Sequence, residues 1–241
     1  MLAKAACILV CAGSSSRMGD LGTVKSKVLI ELDKNWFVLH EVLDRIQKAG
    51  VRDLVLVCPN ESTLEFKSVL NSFSALNSSI ASGGTTRSES VLNGLNVIRK
   101  LETANPFEVI FVHDGARPFF SSELLREGIF LATNNQRGYV LGVPVVNTIK
   151  VCNRDLSISN TLDRDTLWEV QTPQIFPAHF IKESYDKFEF SETIFDDSML
   201  LERAGYPVSI LKSDSSNFKI TTQVDTERAI LYYHSLKADL A

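Results

Sequence analysis

The chain has 241 residues, 44% of them hydrophobic, with 25 Lys and Arg against 29 Asp and Glu for a net charge of −4. That length and apolar fraction can bury a full core as one large domain, or as a domain with a small appendage. The mild acidity removes any global electrostatic basis for binding nucleic acid or a membrane surface, and no apolar run reaches the ~18 residues of a membrane span.

In chain order, Ala5 to Cys11 (A-A-C-I-L-V-C) is nearly all apolar without alternation, which predicts a strand buried on both faces of a parallel sheet. Lys4 and this run lead straight into a Gly/Ser loop with cations, so it reads as a first strand and not as a secretory leader. Val28 to Leu32 follows as a short strand or extended segment. Val38 to Ala49 carries a helical apolar face stopped by Gly50. Asp53 to Cys58 predicts a second buried strand, Glu61 to Phe73 a helix, and Leu76 to Ala81 a weak strand. After the Gly83-Gly84 turn come a helix over Arg87 to Leu101 and a strand over Val109 to Val112. His113 to Pro118 leaves that strand, and Ser121 to Ala132 is a helix with Ser at its N-cap.

Strand and helix alternating at this spacing predict an α/β fold, a mostly parallel sheet with helices on both faces. Ligands collect where loops leave the carboxyl ends of such strands, so the Gly/Ser loop, the Gly83-Gly84 turn and His113 to Pro118 are expected to converge. From Tyr139 the rhythm changes. Tyr139 to Val146 and Thr148 to Val151 are β-rich, and Asn153 to Arg164 is a polar, hairpin-like stretch that cannot bury a core alone. The residues from about 139 to 166 thus include a projecting β-arm, expected to pair with a second copy. Helices from Pro177 and over Asp197 to Ala204, a strand over Val208 to Leu211 and a helix over Asp225 to Leu236 complete the chain.

The chemistry concentrates in a few places. Gly13, three serines, Arg17, Met18 and Gly19 follow the first strand, with Lys25 and Lys27 just beyond. Small residues let backbone amides turn toward an anion, and the cations suit a phosphate chain; the bland alternative is an ordinary polar loop. Neither G-x-x-x-x-G-K-[ST] nor G-x-G-x-x-G is present. Asp114, at a strand end facing that loop, is placed to hold Mg²⁺, which needs only one or two protein carboxylates; capping the next turn is its structural alternative. Arg117 could lie near the same anion or pair with a surface acid. Ser82 to Ser90 (S-G-G-T-T-R-S-E-S) could read a nucleobase edge or simply cap a helix. Lys219 stands among apolar neighbours in a possible strand, Asn217 to Thr222, where a lysine is disfavoured without a partner. Asp163-Arg164-Asp165 and Gln171-Thr172-Pro173-Gln174 suggest phosphate or sugar contacts. The four histidines form no nucleophilic triad or zinc motif. Cys7, Cys11, Cys58 and Cys152 show no C-x-x-C and read as buried, reduced thiols of a cytoplasmic protein. Residue chemistry alone leads to phosphoryl or nucleotidyl transfer and names neither base nor acceptor.

Taken together, A-G-S-S-S-R-M-G with S-K-V-L, S-G-G-T-T-R-S-E-S-V-L-N-G-L, V-H-D-G-A-R-P, P-V-V-N-T-I-K, L-W-E-V-Q-T-P-Q-I-F and N-F-K-I-T-T resemble, in the same order, the motifs of a known family. These are the cytidylyltransferases that make 4-diphosphocytidyl-2-C-methyl-D-erythritol in non-mevalonate isoprenoid biosynthesis. The resemblance implies a single nucleotidyltransferase domain over 1–241, Rossmann-like, with the β-arm exchanged in a homodimer. It implies CTP and a polyol phosphate as substrates and Mg²⁺ at Asp114. Arg17, Lys27 and Lys219 would be catalytic, holding the phosphates and the five-coordinate α-phosphorus. Ala12, Gly13, Gly84, Thr85 and Ser90 would bind the nucleotide, cytosine included, with Arg117 lining the same region. Thr148 and Arg164 would hold the acceptor's phosphate, Arg164 from the neighbouring copy.

The sequence departs from the family pattern at several points. The loop between Arg17 and Lys27 is longer than the family's, so Lys25 competes with Lys27 for the catalytic position. Ser26 replaces a proline, Val28 a glutamine and Asn147 an acidic residue, while Phe195 stands where a phosphate-contacting threonine is expected. The alternative acceptor is a pentitol phosphate such as D-ribitol 5-phosphate. The alternative of another class is a non-catalytic nucleotide-binding module whose arm serves assembly.

Overall fold

A computed structural model describes residues 3–13, 26–102, 106–189 and 193–238. Its centre is a seven-stranded sheet. The strands are β1 (Ala5–Val10), β4 (Asp53–Cys58), β5 (Asn77–Ser82), β6 (Val109–Asp114), β7 (Gly138–Pro144), β10 (Trp168–Pro177) and β11 (Val208–Lys212), in the spatial order β11-β7-β10-β6-β1-β4-β5. β1 lies parallel to both β4 and β6, β4 to β5, and β11 to β7; β10 alone runs antiparallel, between β6 and β7.

The unbroken apolar runs explain the layering. Alternate residues of β1 enter opposite cores: Cys7 and Leu9 join one, Ala6 and Ile8 the other. β6 repeats this with Val109 and Phe111 against Ile110 and Val112. On the first face pack α1 (Val38–Lys48), α2 (Thr63–Leu70), α4 (Ser122–Asn135) and α7 (Gln223–Ala238), the first through Leu39, Val42, Leu43 and Ile46. On the second pack α3 (Arg87–Leu101), α5 (Ala178–Asp186) and α6 (Asp197–Arg203), with Val91, Leu95 and Ile98 of α3 fully covered. Burying each such side chain contributes about 1.5–3 kcal/mol, which is what holds helices to both sides of the sheet.

Chain progress reverses at β1, with β4 and β5 on one side and β6 on the other. The crevice at the carboxyl ends of β1 and β6 is therefore a topological switch point, where open α/β sheets bind ligands.

Several elements differ from the sequence expectation. Val28 to Leu32 is a tight 3₁₀ turn (Lys27–Leu29) leading into β2 (Glu31–Asp33), which pairs with β3 (Trp36–Phe37). Gln171 to Gln174, read only as a polar contact, lies inside the ten-residue β10. Proline normally bars a central strand. Here the ladder with β7 breaks register between Val170 and Gln174, and the Thr172–Pro173 peptide bond in that break is cis. Asn217 to Thr222 is not a strand. Cys152, expected to be buried, is exposed.

After Pro144 the chain leaves the sheet. The hairpin of β8 (Lys150–Cys152) and β9 (Ile158–Thr161) is exposed throughout, and Val145 N donating to the Leu167 carbonyl at 3.0 Å closes its base. No helix among the described residues is long and apolar enough to cross a membrane.

Candidate nucleotide-binding cleft

A cleft of about 410 Å³ opens at the switch point. It is lined by Cys11, Ala12 and Gly13 after β1, by Lys27 and Val28, by Gly84 to Arg87 with Ser90, and by Asp114 and Lys219. Buried Val28 and Ser26 hold the 3₁₀ turn that brings Lys27 to the wall.

The turn between β5 and α3 is shaped by two glycines. A Cβ on Gly83 would come within 2.5 Å of the Ala12 Cβ, so only glycine lets this turn rest on the β1 loop. A Cβ on Gly84 would collide with the Glu89 side chain. Glu89 occupies that space because its Oε2 accepts from Thr85 N and Thr85 Oγ1, both at 2.6 Å, and these bonds hold its carboxyl below the usual range. Thr86 caps α3, accepting from Glu89 N at 3.1 Å. Gly84 N donates to Ser90 Oγ at 3.0 Å, and that hydroxyl donates to the Thr86 carbonyl. The amides of Gly84 and Thr85 are thus spent on Ser90 and Glu89, and these bonds hold the turn rigid at the start of the helix.

Asp114 ends β6 and is the electrostatic centre of the cleft. Lys219 Nζ donates to Oδ2 at 2.5 Å and Arg87 Nε to Oδ1 at 3.2 Å. Burial pushes this carboxyl up, but Arg87, Lys219 and Arg117 outweigh it and hold it far below the usual carboxylate range. Its backbone is fixed as well. Asp114 N donates to Thr172 Oγ1 at 3.0 Å, and that hydroxyl is 3.1 Å from His113 Nδ1. His113 Nε2 faces the Arg117 carbonyl at 3.0 Å, which assigns the proton to Nε2 and leaves Nδ1 to accept from Thr172. Complete burial pushes His113 down to about 3, so it is a neutral strut.

Lys219 lies on an irregular segment docked from two sides. Ile220 N donates to the Ala116 carbonyl at 2.8 Å, and Asn217 Nδ2 donates to Gln171 Oε1 and the Thr172 carbonyl, both at 2.9 Å. Arg117 Nη1 donates to the Asn217 carbonyl at 2.8 Å. Arg117 therefore braces the Lys219 segment from behind and is not on the cleft wall.

The cleft thus gathers Ala12, Gly13, Lys27, Gly84, Thr85, Ser90, Asp114 and Lys219 from five separate stretches of sequence. Arg17 and Lys25 lie outside the described residues. Thr148 and Arg164 are on the exposed excursion and do not line this cleft; Arg164 Nη1 donates to the Val146 carbonyl at 3.0 Å. Sequence reasoning missed Arg87 and read Thr172 only within a possible phosphate or sugar contact, not as the support of Asp114 and His113. Arg87 was visible only as the arginine of a helix-opening motif, and nothing local told that it would meet Asp114.

No group of three His, Cys, Asp or Glu side chains among the described residues could hold a metal alone. Asp114 is the one carboxylate on the described cleft wall, a hard oxygen donor amid cations. That donor set fits Mg²⁺ carried chiefly by phosphates, as this ion is usually bound, and does not fit a protein-caged metal.

A family model described as IspD, 2-C-methyl-D-erythritol 4-phosphate cytidylyltransferase, matches residues 5–235. The protein of that name from Alkaliphilus oremlandii is 32% identical over 228 residues, covering 93% of this chain and 92% of the relative. The one from Clostridium tetani is 34% identical over 245 residues, covering 99% and 95%. Among solved structures, the 4-diphosphocytidyl-2C-methyl-D-erythritol synthase from Anaerococcus prevotii superposes with a TM-score of 0.78 at 27% identity, covering 95% of this chain and 96% of that one.

Proposed function

The chain belongs to the 2-C-methyl-D-erythritol 4-phosphate cytidylyltransferase family, and from that premise we propose that it transfers CMP from CTP to 2-C-methyl-D-erythritol 4-phosphate in isoprenoid precursor biosynthesis. A phosphate oxygen of the acceptor attacks the α-phosphorus of CTP. The bond from that phosphorus to the bridging oxygen of the β-phosphate breaks, and pyrophosphate leaves.

The observation that carries this reading is the meeting of Asp114 and Lys219, separated by 105 residues in sequence, in the cleft that Lys27 also lines. Phosphoryl-group chemistry needs little covalent help; positioning and neutralisation of developing charge do most of the catalysis. In this role Lys27 and Lys219 hold the α-phosphate oxygens as negative charge builds on them, joined by Arg17. Gly84, Thr85 and Ser90, a turn held rigid by its own hydrogen bonds, form the side of the cleft that would receive the cytosine, and Ala12 and Gly13 let the nucleotide lie against backbone. Arg117 serves by keeping the Lys219 segment in place. Asp114 would hold Mg²⁺, which supplies charge neutralisation to the phosphates when bound.

Thr148 and Arg164 hold the acceptor's phosphate, Arg164 reaching a neighbouring copy's cleft in a homodimer. The wholly exposed hairpin supports this: Leu156 and Ile158 are 82% and 62% exposed, an apolar surface that a second arm would cover. Soluble phosphate substrates go with a cytoplasmic location.

The test is pyrophosphate release from CTP and Mg²⁺ with a panel of acceptors. Turnover with 2-C-methyl-D-erythritol 4-phosphate is expected. Turnover with D-ribitol 5-phosphate alone would move the assignment to that acceptor, and CTP binding without turnover on any acceptor would reduce the chain to a binding module.

A further inference from the structure

Behind the cleft lies a charge that the proposed reaction leaves unused. Asp197, the first residue of α6, has no solvent exposure. Its carboxylate is not needed to cap the helix, because Asp196 is the N-cap and accepts from Met199 N at 3.0 Å. A buried carboxylate is costly unless it is paired. The partners here are Tyr185, whose hydroxyl donates to Oδ1 at 2.7 Å, and Arg87, whose Nη2 forms an ion pair with Oδ2 at 2.8 Å though Oδ2 accepts no aligned hydrogen bond. Gln174 locks the same turn to β10: its Oε1 accepts from the amides of Asp197 and Ser198, and its Nε2 donates to Asp196 Oδ2 at 2.9 Å.

A guanidinium is planar, so pairing Nη2 with Asp197 restricts where Nε points. In Arg87 that direction is toward Asp114 Oδ1. The other oxygen, Oδ2, is held by Lys219, whose side chain lines the cleft and is 32% exposed. The two cations therefore play unequal parts: Arg87 is shared with a second, buried carboxylate, and Lys219 meets Asp114 from the cleft side.

Resting on the nucleotidyl-transfer reading, we infer that Arg87 and Asp197 form a brace that reserves Oδ1 of Asp114 and leaves Oδ2 as the oxygen the cleft can use. Both are positioning residues that act through Asp114. A pair serving only to tie α3 to α6 would stabilise the fold without bearing on that carboxylate.

The experiment is a double-mutant cycle of Asp197→Asn and Asp114→Asn, with Arg87→Lys as a second variant because an ammonium keeps the charge but lacks the planar fork directed at both carboxylates. Thermal unfolding, kcat, KM for CTP and crystal structures are measured for each. Asp197→Asn is expected to lower kcat about tenfold or more with KM for CTP within about twofold, and to cost less than about twofold further in the Asp114→Asn background. The crystal structures of Asp197→Asn and Arg87→Lys are expected to show the Asp114 carboxylate turned from its wild-type orientation. Equal kcat losses in both backgrounds, or an unmoved Asp114 carboxylate in both variants, would overturn the brace. A wild-type protein that releases no pyrophosphate with any acceptor would instead sink the transfer reading, and the crystal structures would still decide the brace.

Discussion

Lys219 Nζ and Asp114 Oδ2 lie 2.5 Å apart although 105 residues separate them, and the segment carrying the lysine has no regular secondary structure. Its position is instead set by hydrogen bonds to Ala116, Arg117, Gln171 and Thr172, all on or beside the strands flanking the cleft. Lys219→Ala is expected to lower kcat on the order of 100-fold, the usual cost of removing one donor from a developing oxyanion. Unfolding should change little, since Arg87 still pairs with Asp114. Steady-state kinetics beside a denaturation curve checks both halves.

Lys27 lines the cleft from a turn anchored by buried Val28. Lys27→Ala should therefore lose more turnover than Lys25→Ala. Matched kcat measurements decide it, and the reverse order would move the catalytic position to Lys25.

Acid stability reports on the strut behind Asp114. Burial lowers His113 from 6.5 to about 3, so between those values the unfolded chain binds a proton that the folded chain refuses. Its contribution is complete above pH 6.5 and is lost as pH falls toward 3. Asp114, whose carboxyl burial raises but Arg87 and Lys219 depress more strongly, adds a loss below its ordinary value of 3.8. His113→Asn is expected to be less stable at neutral pH but flatter between pH 6.5 and 3. Denaturant midpoints across that range are the measurement; an unchanged slope would contradict the buried neutral histidine.

If Arg164 serves a neighbour's cleft, two inactive variants should rescue each other. A mixed dimer of Arg164→Ala and Lys27→Ala contains one cleft with both residues intact, so equal mixing after subunit exchange should restore about a quarter of wild-type activity. No recovery would place Arg164 in its own cleft or outside the reaction. Leu156→Asp with Ile158→Asp should shift the sedimenting species toward monomer.

The doubly wound core was legible because its strands are unbroken apolar runs and its helices show one-sided periodicity. So were the cleft residues at strand ends, since loops leaving a parallel sheet must converge. β10 was hidden because Q-T-P-Q is polar and holds a proline, and its register break is set by neighbours distant in sequence. Arg117 read as a cleft cation, yet its direction depends on the Asn217 carbonyl 100 residues away. The same non-local cause hid Arg87: only the folded chain brings Asp114 and Asp197 to its two sides.

The most direct test of the central claim is a crystal structure with CTP bound. The cytosine is expected against Gly84 and Ser90, with the α-phosphate between Lys27 and Lys219 and beside Asp114. A nucleotide seated elsewhere, or one whose phosphates point away from those lysines, would contradict it.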